Sequence, residues 1–276
     1  MKVLTKALLK RFSRAARPYL KSTGLLQVSA VYNHSAMVWQ PGAETVVVLA
    51  PHMDDETIGC GGTLALHAQR GANITVVFLT DGRNGSAEIN TLYGAERERK
   101  QRELIELRTK EACAALQRLG VQHMVCLEVE DGTLDRCTWA AAKLRAVLLE
   151  RQPELVYLPF YLEEHPDHRA TSRVLLDAVA QTLLQFQCMG YEVWTPLFPN
   201  CLVSIDATVE LKKQALREYA SQLSQCDYLH VSIGLNAHRS AGLIRPPGAG
   251  GGYAEAFHAI PLAQYRRQFA QYHGRR

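Results

Sequence analysis

Apolar positions along this chain fall in short, nearly unbroken runs. Val46-Val47-Val48-Leu49-Ala50, Ile74-Thr75-Val76-Val77-Phe78-Leu79 and Leu155-Val156-Tyr157-Leu158-Pro159-Phe160 have strand length and no polar face, the pattern of strands covered on both sides. The pattern predicts strands over about 45–51, 73–80, 123–129 and 154–160, alternating with helices over about 56–70, 95–119, 136–151 and 168–185. Further strands near about 191–195 and 201–206 and a helix near about 207–225 complete the sheet edge and cover it. Strict alternation of this kind predicts an α/β fold: a Rossmann-like three-layer sandwich with a mostly parallel central sheet.

Two polar clusters interrupt the pattern at equivalent places. Pro51-His52-Met53-Asp54-Asp55-Glu56 and His165-Pro166-Asp167-His168 each follow an apolar run, so both fall at the carboxyl ends of strands, the edge where open α/β sheets bind ligands. His52 and Asp55 are three residues apart, as are His165 and His168; within a helical turn each pair faces one way. Together they offer a divalent metal two imidazoles and a carboxylate, a set that leaves one coordination position open and suits hydrolysis. Asp54 then points elsewhere and is free to act as a base. Taken singly, an Asp-Asp pair is more often a helix cap complementing the dipole, and His-Pro-Asp-His a polar helix start. The coincidence of both at strand ends favours the metal site.

These residues carry a resemblance. Pro51-His52-Met53-Asp54-Asp55-Glu56 with His165-Pro166-Asp167-His168 resembles the PIG-L/LmbE family of zinc-dependent de-N-acetylases, which act on N-acetylglucosamine-type sugars. Thr80-Asp81-Gly82, Arg108 with Glu111, Asp131-Gly132, Lys212-Lys213-Gln214-Ala215-Leu216 and Tyr253-Ala254-Glu255-Ala256-Phe257 resemble further family blocks in the expected order. Met53 stands where many members have proline. The resemblance implies that His52, Asp55 and His168 hold Zn2+ or another divalent transition metal, that Asp54 is the general base, and that His165 stabilises the oxyanion or protonates the departing amine. Asp167 either orients one of the imidazoles or caps the helix beside Pro166. The implied substrate is an N-acetylated amino sugar in a glycolipid, polysaccharide precursor or small glycoside. The alternatives are hydrolysis of another amide or ester, and a non-catalytic sugar- or nucleotide-binding domain.

Two loops are candidates for substrate contact. Asp81-Gly82-Arg83-Asn84-Gly85-Ser86 follows a strand at the same rim, which makes Arg83 and Asn84 candidates for sugar hydroxyls or phosphate; Glu255 is a third. The glycine- and proline-rich stretch 245–253 reads as a mobile rim. Gly59-Cys60-Gly61-Gly62-Thr63-Leu64 superficially resembles a dinucleotide turn, but Leu64 occupies the last glycine position, so the glycines are expected to permit close helix–sheet packing.

The first residues differ from the rest. Lys2, Lys6, Lys10, Arg11, Arg14, Arg17 and Lys21 meet no acidic residue before Glu44; these seven cations exceed the whole chain's net charge of +4, leaving the remainder net negative. Leu4, Leu8, Phe12, Ala15 and Tyr19 recur at helical spacing opposite them. Residues 1–43 are therefore read as a basic amphipathic extension, with residues 1–22 able to lie on an anionic membrane surface, and residues 44–276 as a single metal-dependent domain. Seven scattered cysteines without a Cys-x-x-Cys pair suit a reducing compartment, so the expected location is cytoplasmic, peripheral on the inner membrane surface if the extension binds it. No nucleic-acid partner is expected. The oligomeric state is not legible.

Overall fold

The structure is a computed structural model that describes residues 36–243 and 251–273. The basic extension of residues 1–22 and most of the glycine-rich rim lie outside the described residues. The elements in chain order are β1 (Met37–Val38), β2 (Thr45–Ala50), α1 (Asp55–Gln69), β3 (Asn73–Thr80), α2 (Gly94–Leu119), β4 (His123–Val129), α3 (Ala140–Arg151), β5 (Leu155–Pro159), α4 (Pro166–Ala178), β6 (Gln187–Tyr191), β7 (Cys201–Ser204), α5 (Val209–Glu218), α6 (Ala220–Leu223), α7 (Tyr228–Arg239), β8 (Ala254–Pro261) and α8 (Leu262–His273). They form one eight-stranded sheet in the order β1-β7-β8-β6-β5-β2-β3-β4. All neighbours are parallel except β8, which runs antiparallel between β6 and β7.

Alternation along β2 and β3 divides the core into two. Val46, Val48, Ile74, Val76 and Phe78 pack on one face against Leu64, Ala112, Leu116 and Ala215 of α1, α2 and α5. Val47, Leu49, Val77 and Leu79 pack on the other with Leu144, Leu148, Val174, Leu175 and Tyr265 of α3, α4 and α8. This is the three-layer sandwich expected from the unbroken apolar runs, with each buried aliphatic side chain contributing about 1.5–3 kcal/mol over exposure. The glycines of α1 permit the close packing expected of them: a Cβ on Gly59 would lie 2.2 Å from Cδ2 of Tyr191, and one on Gly62 would lie 2.8 Å from Ile205.

Several elements differ from the sequence expectation. The strand expected near 191–195 ends at Tyr191, because the amides of Val193, Trp194 and Thr195 turn to the carboxylate of Glu163 (2.7, 3.2 and 3.1 Å) instead of extending the ladder. The helix expected over 168–185 starts two residues earlier and stops at Ala178. The helix expected near 207–225 is divided into α5 and α6. β8 and the edge strand β1, which lies within the stretch read as an extension, have no counterpart in the sequence expectation.

The chain reverses its direction of sheet building at β2, whose neighbours are β3 and β5. The crevice beyond the carboxyl ends of these strands is the switch point where such sheets bind ligands.

Candidate metal centre and active site

His52 leaves β2 through Pro51, and the turn that follows is fixed by its own polar groups. The backbone N–H of His52 donates to Oδ2 of Asp55 (2.8 Å). Asp54 caps α1 with φ 145° and ψ −29°, a conformation that costs an L-residue about 1–3 kcal/mol and persists only where its surroundings enforce it. Here the Asp54 N–H donates to Oε2 of Glu56 (3.2 Å), its carbonyl accepts the amides of Thr57 and Ile58, and Nη2 of Arg108 holds the preceding Met53 carbonyl (2.8 Å).

The result is a triangle of donor atoms. Nδ1 of His52 lies 3.2 Å from Oδ2 of Asp55, Nε2 of His168 lies 3.3 Å from the same oxygen, and the two ring nitrogens are 3.3 Å apart. Tetrahedral zinc with bonds of about 2.0–2.2 Å would separate its donors by about 3.3–3.6 Å. The remaining ring nitrogens face carboxylates: Nε2 of His52 is 3.1 Å from Asp131 and 3.5 Å from Asp167, and Nδ1 of His168 is 3.6 Å from Glu163. A carboxylate at the far nitrogen holds the proton there and turns the lone pair of the near one inward. Two inward lone pairs and a carboxylate oxygen fit a divalent cation. His52 also belongs to wider groupings with His165 and His168, and with Asp131 and Asp167.

The three groups also shift one another's protonation. Burial pushes His52 down, yet Asp131, Asp167 and Asp55 together raise it well above an ordinary histidine. Burial opposes the charge on His168 too, but Asp55 lifts it to about 9. Asp55, despite burial, is held far below the carboxylate range by His168 and His52.

Asp54 lies beside this triangle with a different environment. Burial raises it to about 7, with Arg108 opposing from 3.6 Å and Asp55 reinforcing. His165 caps α4, its Nδ1 accepting the N–H of Asp167 (3.2 Å), so the neutral ring carries its proton on Nε2. Burial and the neighbouring His52 and His168 lower its pKa and favour that neutral form.

A cavity of about 270 Å³ opens over these groups, lined by His52, Asp54, Asp55, His165, Asn84 and Arg108 among others. Asn84 reaches it, but its side chain is committed: Nδ2 donates to the carbonyl of Asp131 (2.9 Å) and Oδ1 accepts from Gln101 (3.1 Å). Two residues expected to contact substrate are engaged within the chain. Arg83 is drawn to Asp81, with Nε 2.8 Å and Nη2 2.6 Å from Oδ2, and is not among the cavity's lining residues. Glu255 is fully buried, accepting from Nζ of Lys212 (2.7 Å) and the amides of Gly62 and Thr63 (2.9 and 2.8 Å). Asp167 receives the amides of Gly132 and Leu134 (2.8 and 3.2 Å), and so pins the loop that carries Asp131. Sequence reasoning missed Asp131, Glu163 and Arg108 as parts of the site; for Asp131 and Arg108, their presence within motif-like blocks was the available signal.

Known proteins resemble this chain in the same region. The family model for PIG-L, GlcNAc-PI de-N-acetylase, matches residues 47–179. A 1D-myo-inositol 2-acetamido-2-deoxy-alpha-D-glucopyranoside deacetylase of Mycobacterium sp. (strain KMS) is 33% identical over 223 residues, 63% of this chain and 72% of its own. Diacetylchitobiose deacetylase of Thermococcus kodakarensis is 26% identical over 198 residues, 65% of this chain and 70% of its own. The crystal structure of a conserved protein from Thermus thermophilus superposes with a TM-score of 0.63 at 29% identity, over 78% of this chain and 93% of that one. Among the curated relatives the chain spans from 48% to 72% of their own lengths. The matched span contains His52, Asp54, Asp55, Asp131, His165 and His168, and the chain belongs to the PIG-L family.

Proposed function

We propose that this protein is a zinc-dependent hydrolase that removes the acetyl group from an N-acetylated amino sugar of the N-acetylglucosamine type, releasing acetate. The observation that carries the reading is the triangle of His52 Nδ1, Asp55 Oδ2 and His168 Nε2 at the floor of an open cavity. Three nitrogen and oxygen ligands with a free position suit zinc, and a similar divalent transition metal satisfies the same donors. A metal held there supplies Lewis acidity to the acetamide carbonyl and lowers the pKa of water.

The chain's own residues do the rest. Asp54, held in its strained turn, is the carboxylate that takes the proton of the attacking water. His165 presents Nε2–H to the developing negative charge on the carbonyl oxygen. Its coupling to the N–H of Asp167 keeps that tautomer in place. Asp131 fixes the orientation of His52, and Glu163 places a carboxylate 3.6 Å from Nδ1 of His168. Arg108 supports the backbone on which Asp54 stands. A binding module would need a metal triangle or a base, not both in one cavity.

The unpaired cysteines favour a reducing, cytoplasmic location. Among the described residues no helix is long and apolar enough to cross a membrane. The proposed peripheral contact through residues 1–22 rests on their charge pattern alone.

Incubation of zinc-loaded protein with acetamido sugars, read by mass spectrometry, is expected to show loss of an acetyl group together with free acetate. Asp54→Asn should retain metal and lower turnover by about a hundredfold or more. Near-normal turnover in that variant would move the base elsewhere.

A further inference from the structure

We propose that a second chamber beside the catalytic cavity receives the aglycone of the acetamido sugar and selects an apolar group bearing one hydrogen-bond donor. The inference rests on the de-N-acetylase reading, since it takes the sugar to sit over Asp54 and the metal triangle. Four residues, Ile58, Val193, Trp194 and Tyr228, line both spaces. The second space, about 70 Å³, continues from them along α7, where Val231 and Leu235 add apolar surface. A substituent leaving the sugar on this side therefore passes directly from the first space to the second.

The chemistry of the walls differs sharply between the two. The first is set by carboxylates, imidazoles and Arg108; in the second, Glu192 and Ser232 are already engaged within the chain. Glu192 is held by Arg239 through bonds of 2.9 and 2.7 Å, and Ser232 Oγ donates to the carbonyl of Ile58 (3.1 Å). Trp194 meets Tyr228 edge to face with ring centroids 5.6 Å apart and is 50% exposed. Half an indole left open at the junction is available to an apolar partner. Val231 beside it is 53% exposed.

One lining group lacks a partner. Oδ1 of Asn236 is buried without a hydrogen bond, on a residue only 5% exposed. A buried carbonyl oxygen in that state is a penalty that a donor on the occupant would relieve once the amide turns toward the chamber. The aglycone favoured by these walls is thus an aryl or short branched alkyl group that ends in a hydroxyl or amine. A polyhydroxylated ring would strand several of its own donors.

Binding can be tested apart from hydrolysis. Methyl, phenyl and para-hydroxymethylphenyl N-acetylglucosaminides, each as both anomers, are titrated into the zinc-loaded full chain by calorimetry, and acetate release is measured in parallel. The phenyl glycoside is expected to bind about tenfold more tightly than the methyl glycoside, and the added hydroxyl to improve binding about threefold more. Val231→Glu should bring the phenyl-to-methyl ratio close to one, and Asn236→Leu should erase the gain from the hydroxyl. Equal binding of methyl and phenyl glycosides, or no binding of any, overturns the chamber's role; a hydroxyl that weakens binding overturns the part assigned to Asn236. Preferential phenyl binding without acetate release from any glycoside would sink the hydrolase reading while leaving the chamber's apolar preference intact.

Discussion

Helix α1 carries two buried polar clusters, and they are built on opposite principles. At its start, His52, Asp55 and His168 turn like-facing donor atoms to one point. Farther along, where the helix breaks at Cys60 (φ −145°, ψ 15°), Lys212 and Glu255 meet as a fully buried ion pair. Nζ of Lys212 donates to the carbonyl of Ile58 (2.8 Å) before the break, and Glu255 accepts the amides of Gly62 and Thr63 after it. Each half of the helix is thereby capped, the carbonyl end by a cation and the amide end by an anion, the arrangement the helix dipole favours. The second cluster is complete within the chain; the first leaves its donor atoms converging on one point, as the proposed cation would require. Burial and charge alone do not distinguish a structural cluster from a functional one; the difference here is that three potential ligand atoms converge on one point.

The contrast predicts separate failures. His52→Ala, Asp55→Ala or His168→Ala should each abolish stoichiometric metal binding, measured by elemental analysis of the purified protein, with circular dichroism still reporting a folded sandwich. Undiminished metal in all three would falsify the site. Lys212→Met strands Glu255 in the core and should lower unfolding free energy by about 3–5 kcal/mol, read by urea denaturation of the metal-free protein. A loss below about 1 kcal/mol would place the pair among features of little structural weight.

Smaller effects refine the same division. Asp131→Asn leaves the triangle in place but removes the anion facing Nε2 of His52, so metal affinity should fall about 10–100-fold in a competition titration with a chelator. An unchanged affinity would assign Asp131 to loop structure alone. The smallest expected change concerns His67, which is fully buried with its ring nitrogens 2.9 Å from the Gly42 carbonyl and the Tyr157 hydroxyl. Burial lowers its pKa, so the folded protein binds this proton less readily than the unfolded chain. Its contribution is fully present above the unfolded value of about 6.5 and is lost as pH falls below it, with a limiting slope of about 1.4 kcal/mol per pH unit. His67→Gln should flatten the stability profile below about pH 6.5 relative to the parent; parallel profiles would contradict this.

Much of the architecture was readable because β2, β3 and β5 are apolar on both faces, and a run such as Val46–Ala50 admits few other placements. The His52, Asp54 and Asp55 cluster was readable as a candidate site for a related reason: a histidine and two aspartates directly after such a run have little structural purpose in common. β8 escaped because Glu255, a charge within the strand Ala254–Pro261, is buried by a partner far away in sequence. For the same reason the residue looked like a site group. Arg83 is the opposite case, since its partner Asp81 lies only two residues away. Asp131 reads locally as half of an Asp-Gly turn, and its role depends on β4 ending beside β3 across a register shift.

The late position of Glu255 bears on how the protein is made. A ribosome emits His52, Asp55 and His168 well before the strand that stitches the two halves of α1 together. The donors are therefore all present on a growing chain whose supporting helix is still uncapped at its break.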